Sequence, residues 1–178
     1  MVDATPLAAI DELSVDRLHG MQAASLRYFE PGGGFADQVH QIIGWELPGP
    51  LVAISAVIPG DRQSILAWRS PTETLLLATE TAEFARLKER LAGAADGCMV
   101  DQTGGLGVLR LRGRRADDLV LRMGSNESIP RRGEARSSRL AELNVLTLCV
   151  QADELILVVE RVYADHLIDW MSRTITDF

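Results

Sequence analysis

The sequence predicts an α+β fold made of two related halves with largely antiparallel sheets, and three observations predict it. The same rough plan runs twice, about 80 residues apart: Pro130 follows Pro48 by 82 positions, Glu154 follows Glu73 by 81, and Asp165 follows Phe84 by 81. Each pass, over residues 26–93 and 106–176, reads as strand, helix, hairpin, helix. Strands and helices alternate without the long strand–helix–strand cadence of a parallel sheet, which favours antiparallel pairs. Two units are too few for a solenoid, which needs three or more to bury a continuous core, so a pair related by pseudo-symmetry is the better reading.

Taken in order, residues 1–20 read as an arm ahead of a domain spanning 21–178. Within the arm, Thr5 as N-cap and Pro6 at the first helical position predict a helix over 5–19 that ends near Gly20. Residues 22–30 form a weak strand signal and "PGGG" a turn. Apolar residues at 35, 39, 42 and 43 share one helical face, and Gly44 suits a C-cap. "LVAISAVI" (51–58) reads as a buried strand closed by a turn at "PGDR", and "SILAW–RSPTE–TLLLAT" as a hairpin. "TAEFARLKERLAG" is an amphipathic helix with Phe84, Leu87 and Leu91 on one face and Gly93 at its end.

The second half follows suit. "GVLRLRG" alternates like a half-exposed strand, and "RRADDLVLRMG" reads as a short helix with Asp117 and Asp118 in its early turns, where acidic groups suit the helix dipole. Residues 125–136 are polar and read as irregular. "LNVLTLCV–QAD–ELILVVE" is a tight hairpin, followed by the helix "RVYADHLIDWMSRTI".

An apolar fraction of 47% and a charged fraction of 24% over 178 residues match a globular chain of one domain or two small halves. No apolar run approaches the roughly 20 residues of a membrane span, and "MVDATPLAAIDEL" lacks the layout of a secretion signal, so no membrane and a cytoplasmic location are expected. A net charge of −7 argues against nucleic acid as a partner. Against that balance stands a local run of Arg110, Arg112, Arg114, Arg115, Arg131, Arg132, Arg136 and Arg139. It reads either as a solvated face or as a surface for an acidic partner or anion, since guanidinium forks suit carboxylates and phosphates.

Catalytic motifs are largely absent. His19, His40 and His166 lie far apart, each in a predicted helix, with no metal-ligand spacing. "PGGGF" lacks the lysine and hydroxyl of a phosphate loop, "TGGLG" is not a dinucleotide fingerprint, and no nucleophile elbow occurs. Cys98 and Cys149, 51 residues apart, read as structural free thiols. Trp68 and Trp170 are assigned to the core and Trp45, beside a turn, to an interface.

The run "IIGWELP", then "ILAWRSPTETLLLA", then "VDQTGGLGVLRLRGRRADDLV" resembles the gamma subunit of heterotetrameric sarcosine oxidase, within the wider aminomethyltransferase-like (glycine-cleavage T-protein) superfamily. The family's W-x-G-P-x-E-W-L-L stands here as Trp68, Arg69, Ser70, Pro71, Thr72, Glu73, Thr74, Leu75 and Leu76. Its V-D-x-S-x-G-x-x-x-L-x-L-x-G-x-x-A is held by Asp101, Thr103, Leu109, Leu111, Gly113 and Ala116. The similarity covers roughly residues 26–175, and the segment "GSNESIPRRG" departs from the family's Cys-x-Leu-Asp-like stretch.

The resemblance implies an aminomethyltransferase-like, folate-binding-type fold and a small non-catalytic subunit. Its expected partners are larger alpha- and beta-type oxidase subunits that hold FAD, FMN, NAD and tetrahydrofolate, with no cofactor on this chain. Trp45, Arg114, Arg115, Arg131 and Arg132 are the expected interface residues, and self-association through that surface is the alternative for an isolated chain. A folate-dependent one-carbon enzyme is the second reading. Under it Asp101 matches an aspartate that assists catalysis, although the branch's G-G-x-x-D-D segment is missing and turn capping accounts for Asp101 as well. The third reading is a small-molecule sensor, on fold analogy alone.

Overall fold

The computed structural model of the protein describes residues 2–58 and 61–177. It opens with a hairpin, β1 (Asp3–Ile10) and β2 (Leu13–His19). There follow β3 (Gln22–Tyr28), α1 (Gly34–Ile43), β4 (Ala53–Ile58), β5 (Asp61–Ser70), β6 (Glu73–Ala78), α2 (Thr81–Arg90) and β7 (Gly97–Asp101). The second half comprises β8 (Leu106–Arg112), α3 (Ala116–Met123), a 3-10 turn at Asn126–Ser128, β9 (Glu134–Leu140), β10 (Leu143–Gln151), β11 (Glu154–Glu160) and α4 (Arg161–Ile175). The chain divides into two compact units, Gly20–Thr103 and Val2–His19 with Gly104–Phe178.

In the first unit the strands run β4-β5-β6-β3-β7, and in the second β1-β2-β8-β11-β10-β9. Every strand pairing in both is antiparallel. Read from β9 inward, the second order is the first one repeated: β9, β10, β11 and β8 take the places of β4, β5, β6 and β3. The repeated plan is therefore strand, helix, three strands, helix. The last place differs in origin, because β7 flanks β3 from downstream whereas β2 flanks β8 from the N-terminus.

The segment expected to be a helical arm is thus a strand pair. Leu13 and Val15 alternate into the core, and Val15 lies opposite Leu111 of β8. Thr5 and Pro6 imitate a helix start, yet Pro6 sits on an edge strand beside a bulge between Pro6 and Ala8, where a missing donor costs little. His19 accordingly ends a strand, while His40 and His166 lie on α1 and α4. Residues 134–136, expected to be irregular, begin β9, which pairs with β10 from Leu140↔Leu143 to Glu134↔Cys149. Strand preference there comes from the neighbouring chain rather than from the polar side chains of an edge strand. Of the turn expected at "PGDR", Pro59 and Gly60 lie outside the described residues, and Asp61 starts β5.

Each sheet packs two helices on one face. In the first unit Leu26, Leu66 and Leu76 meet Phe35 and Val39 of α1 and Phe84 and Leu87 of α2. α1 ends at Gly44, whose φ of 76° supplies the left-handed cap. In the second unit Val15, Leu109 and Leu157 meet Leu119 of α3 and Leu167 and Met171 of α4. The helix faces follow the apolar spacing because residues three and four apart share one side.

The β9–β10 turn contains Ala141 and Glu142, both at positive φ (49° and 65°), in a two-residue connection that favours Asn-Gly. Glu142→Gly is expected to raise stability by about 0.5–1 kcal/mol, since glycine adopts that conformation without the Cβ penalty. The midpoint of urea unfolding measures it; the exposed Arg139–Glu142 pair that is lost weighs little.

Candidate functional site

Where β8 ends, the Gly113 N–H donates to the Asp153 carbonyl at 2.9 Å, tying the start of α3 to the β10–β11 turn. Alongside, a second turn leads into β9. The Gly133 N–H donates to the Cys149 carbonyl at 2.6 Å, and the Glu134 N–H to the Arg131 carbonyl at 2.9 Å. The Glu134 carboxylate accepts from the Arg131 N–H at 3.0 Å and from Arg136 at 2.9 Å. The Arg131 backbone bond first, and then Arg136, holds the Glu134 carboxyl below the usual carboxylate range. Between these anchored turns lies a cavity of about 280 Å³.

The arginine run resolves into pairs. Arg110 and Arg112 both donate to the buried Asp16, at 2.9 and 3.0 Å. Arg114 faces Glu12 at 3.6 Å, Arg115 faces Asp118 at 3.8 Å, Arg136 faces Glu134 at 2.9 Å and Arg139 faces Glu142 at 2.9 Å. Among the described residues, Arg131 and Arg132 have no ion pair within 4.0 Å. Three of the expected interface arginines, Arg114, Arg131 and Arg132, converge on the cavity; Arg115 does not line it.

Sequence reasoning missed the opposite wall. Asp117, Asp153 and Glu154 line the same cavity, as does Cys149. Burial, then repulsion from Asp118 and Asp153, pushes the Asp117 carboxyl up. Burial and the nearby Asp117 push the Cys149 thiol up as well, which marks it as a packed thiol rather than a nucleophile. Its Sγ–H donates to the Gln151 carbonyl at 3.2 Å. The signal for this wall was weak, because "QAD" and "ADD" read only as a turn and a helix start.

The first unit carries a cavity of about 570 Å³ at the repeat-related place, where β3 ends beside the β5–β6 turn and the start of β7. Its lining is different in character: exposed Phe29, Cys98 on the edge strand, and Arg27 opposite Glu73. Glu73, the glutamate of the Trp68 motif, accepts from Ser25 at 2.6 Å and from Arg69 at 3.0 Å. That accounts for its position structurally.

Asp101 closes β7. Its carboxylate accepts from the Thr103 N–H at 3.0 Å and from Lys88 at 3.1 Å. The Thr103 backbone bond first, aided by Lys88, holds its carboxyl below the usual range despite some burial. Asp101→Ala is expected to cost about 0.5 kcal/mol at neutral pH, the exposed pair being screened. Because the folded-state value is the lower one, this contribution is present above the unfolded-state value and lost as pH falls through the folded one. The difference between variant and parent in thermal unfolding should therefore shrink in acid.

Trp45 lies 38% exposed after α1, and Trp68 is half-buried. Trp170 is 42% exposed rather than core: Ala164, Leu167 and Met171 take the buried side of α4, leaving Tyr163 and Trp170, one heptad apart, on its outer side. Among the described residues no group of His, Cys, Asp or Glu is placed to hold a metal, and no helix is long and apolar enough to cross a membrane.

A chain of heterotetrameric sarcosine oxidase from Corynebacterium sp. U-96, solved with pyrrole 2-carboxylate, shares the fold with a TM-score of 0.81 at 20% identity, over 96% of this chain and 87% of that one. The glycine cleavage system aminomethyltransferase T from Bartonella henselae matches with a TM-score of 0.72 at 12% identity, over 90% of this chain but only 45% of that one. No curated protein matches in sequence. The family model described as sarcosine oxidase, gamma subunit family, matches residues 30–177, and the chain belongs to that family.

Proposed function

We propose that the chain is the small, non-catalytic subunit of a heteromeric flavin-dependent oxidase or dehydrogenase acting on sarcosine or another N-methylated amino acid. The observation that carries this reading is the family match over residues 30–177. The fold shared with a chain of heterotetrameric sarcosine oxidase supports it, as do the exposed aromatic positions Trp45, Tyr163 and Trp170, residue types that serve as anchors in interfaces. Larger alpha- and beta-type subunits then carry FAD, FMN, NAD and tetrahydrofolate, and this chain packs against them. The assembly would work in the cytoplasm, in sarcosine catabolism and one-carbon metabolism.

Affinity purification from the native cell at gentle salt tests it. Larger chains should co-elute, and the eluate should show the absorption of oxidised flavin, a chromophore that is the cofactor's own. A colourless eluate with no partner would overturn the proposal.

A further inference from the structure

We propose that the cavity of the second unit binds a small zwitterion of the amino-acid type, its carboxylate held by Arg131 and Arg132 and its ammonium by Asp117 and Asp153. The central observation is a separation of charge. Three guanidiniums and three carboxylates line one cavity; Arg114 is paired with Glu12, whereas among the described residues Arg131, Arg132, Asp117, Asp153 and Glu154 form no ion pair within 4.0 Å. The other six arginines of the run, Arg114 at the cavity included, each meet an acid within 4.0 Å. Here anchored turns carry the two walls, one through the Gly133–Cys149 and Glu134–Arg131 bonds, the other through Gly113–Asp153.

The chemistry of the walls selects the ligand class. A carboxylate suits paired guanidinium forks, which bind it through charge-assisted hydrogen bonds. A simple anion meets the repulsion of Asp117, Asp153 and Glu154, and a simple cation meets that of the arginines. A molecule carrying both charges satisfies both walls at once. The raised Asp117 carboxyl agrees, because a bound ammonium would relieve the repulsion from Asp118 and Asp153. A volume of about 280 Å³ suits a small molecule rather than a nucleotide or a peptide. The site lies wholly within one unit.

Calorimetric titration of the purified full chain tests the proposal with glycine and 4-aminobutanoate as probes, and with acetate and methylammonium at matched ionic strength. At least one zwitterion should bind, and acetate and methylammonium should each bind at least tenfold more weakly. Arg131→Gln with Arg132→Gln should weaken zwitterion binding at least tenfold, the scale of lost charge-assisted bonds. Asp153→Asn should do likewise, since asparagine tolerates the positive φ of 56° at that turn. These changes lie on exposed or turn positions, so unchanged thermal unfolding is the check on folding. Absence of binding by both zwitterions, acetate binding as tightly as they do, or variants binding like the parent would each overturn the proposal.

Discussion

Deleting residues 2–19 is expected to unfold the second unit, β8 through α4, instead of trimming a dispensable arm. β2 lies between β1 and β8 and supplies Leu13 and Val15, only 3% and 1% exposed, to the core beneath α3 and α4. Each such side chain contributes about 1.5–3 kcal/mol by burial. Removing β2 also takes Asp16 from Arg110 and Arg112, whose guanidiniums it accepts at 2.9 and 3.0 Å. Losing one partner of a buried pair costs about 3–5 kcal/mol, less here because Arg112 is half exposed. The combined loss, roughly 5 kcal/mol or more, is comparable to the whole stability of a domain, about 5–15 kcal/mol. Hydrogen exchange should then show β8, β10 and β11 losing protection, with β3, β5 and β6 retaining more. Cooperative unfolding within about 1 kcal/mol of the full chain would restore the arm reading.

That hairpin also shows where local signals stop. Phe84, Leu87 and Leu91 announce α2 because a helix face is written in spacings of three and four, and "LNVLTLCV–QAD–ELILVVE" announces a hairpin because both strands and their turn are contiguous. β2 finds its partner more than ninety residues away, at Val15↔Leu111, and no window of sequence contains both. β9 is hidden for a related reason: its strand character is conferred by β10, while five of its seven residues are arginine, serine or glutamate and only Ala135 and Leu140 are apolar. The repeat itself was legible, and it placed β8, β10 and β11 by analogy with β3, β5 and β6. What the repeat could not convey was that β2, not a downstream strand, completes the second sheet.

The cavity divides in the same way. Arg114, Arg131 and Arg132 belong to the run of eight arginines legible in the sequence, and the structure brings these three to one cavity. Their neighbours Arg110 and Arg112 looked equivalent in sequence but are spent on Asp16, a residue that had been placed on a helix. Asp117 on α3 meets Asp153 and Glu154, consecutive at the β10–β11 turn, only through the fold, so that convergence has no spacing to read. Trp170 sits at the margin of the α4 apolar face, three residues from Leu167 but a heptad from the exposed Tyr163, and the helical spacing alone does not separate margin from core.

Gly113→Ala is expected to be among the most damaging single methyl additions in the chain, costing about 3 kcal/mol or more. Gly113 has a φ of 113°, a conformation that L side chains rarely adopt, and a Cβ there would overlap the Glu12 carbonyl oxygen and lie 2.7 Å from the Glu12 carbonyl carbon. These are backbone atoms of the β1–β2 turn, so no rotamer change relieves the clash. The turn cannot retreat freely either, because the Glu12 carbonyl accepts from the Arg115 N–H at 3.2 Å, and Glu12 itself sits at a φ of 60°. Backing Gly113 away would break its 2.9 Å bond to the Asp153 carbonyl and open the cavity wall that carries Asp153. Gly104→Ala is the control: a Cβ there meets nothing within 4 Å, and the change should be near neutral. Urea unfolding of the two variants should separate them by several kcal/mol, with Gly113→Ala also weakening zwitterion binding through the displaced wall. Equal midpoints for the two would mean that the β1–β2 turn yields easily, and that the close approach of Gly113 to Glu12 does not hold the N-terminal hairpin to the second unit.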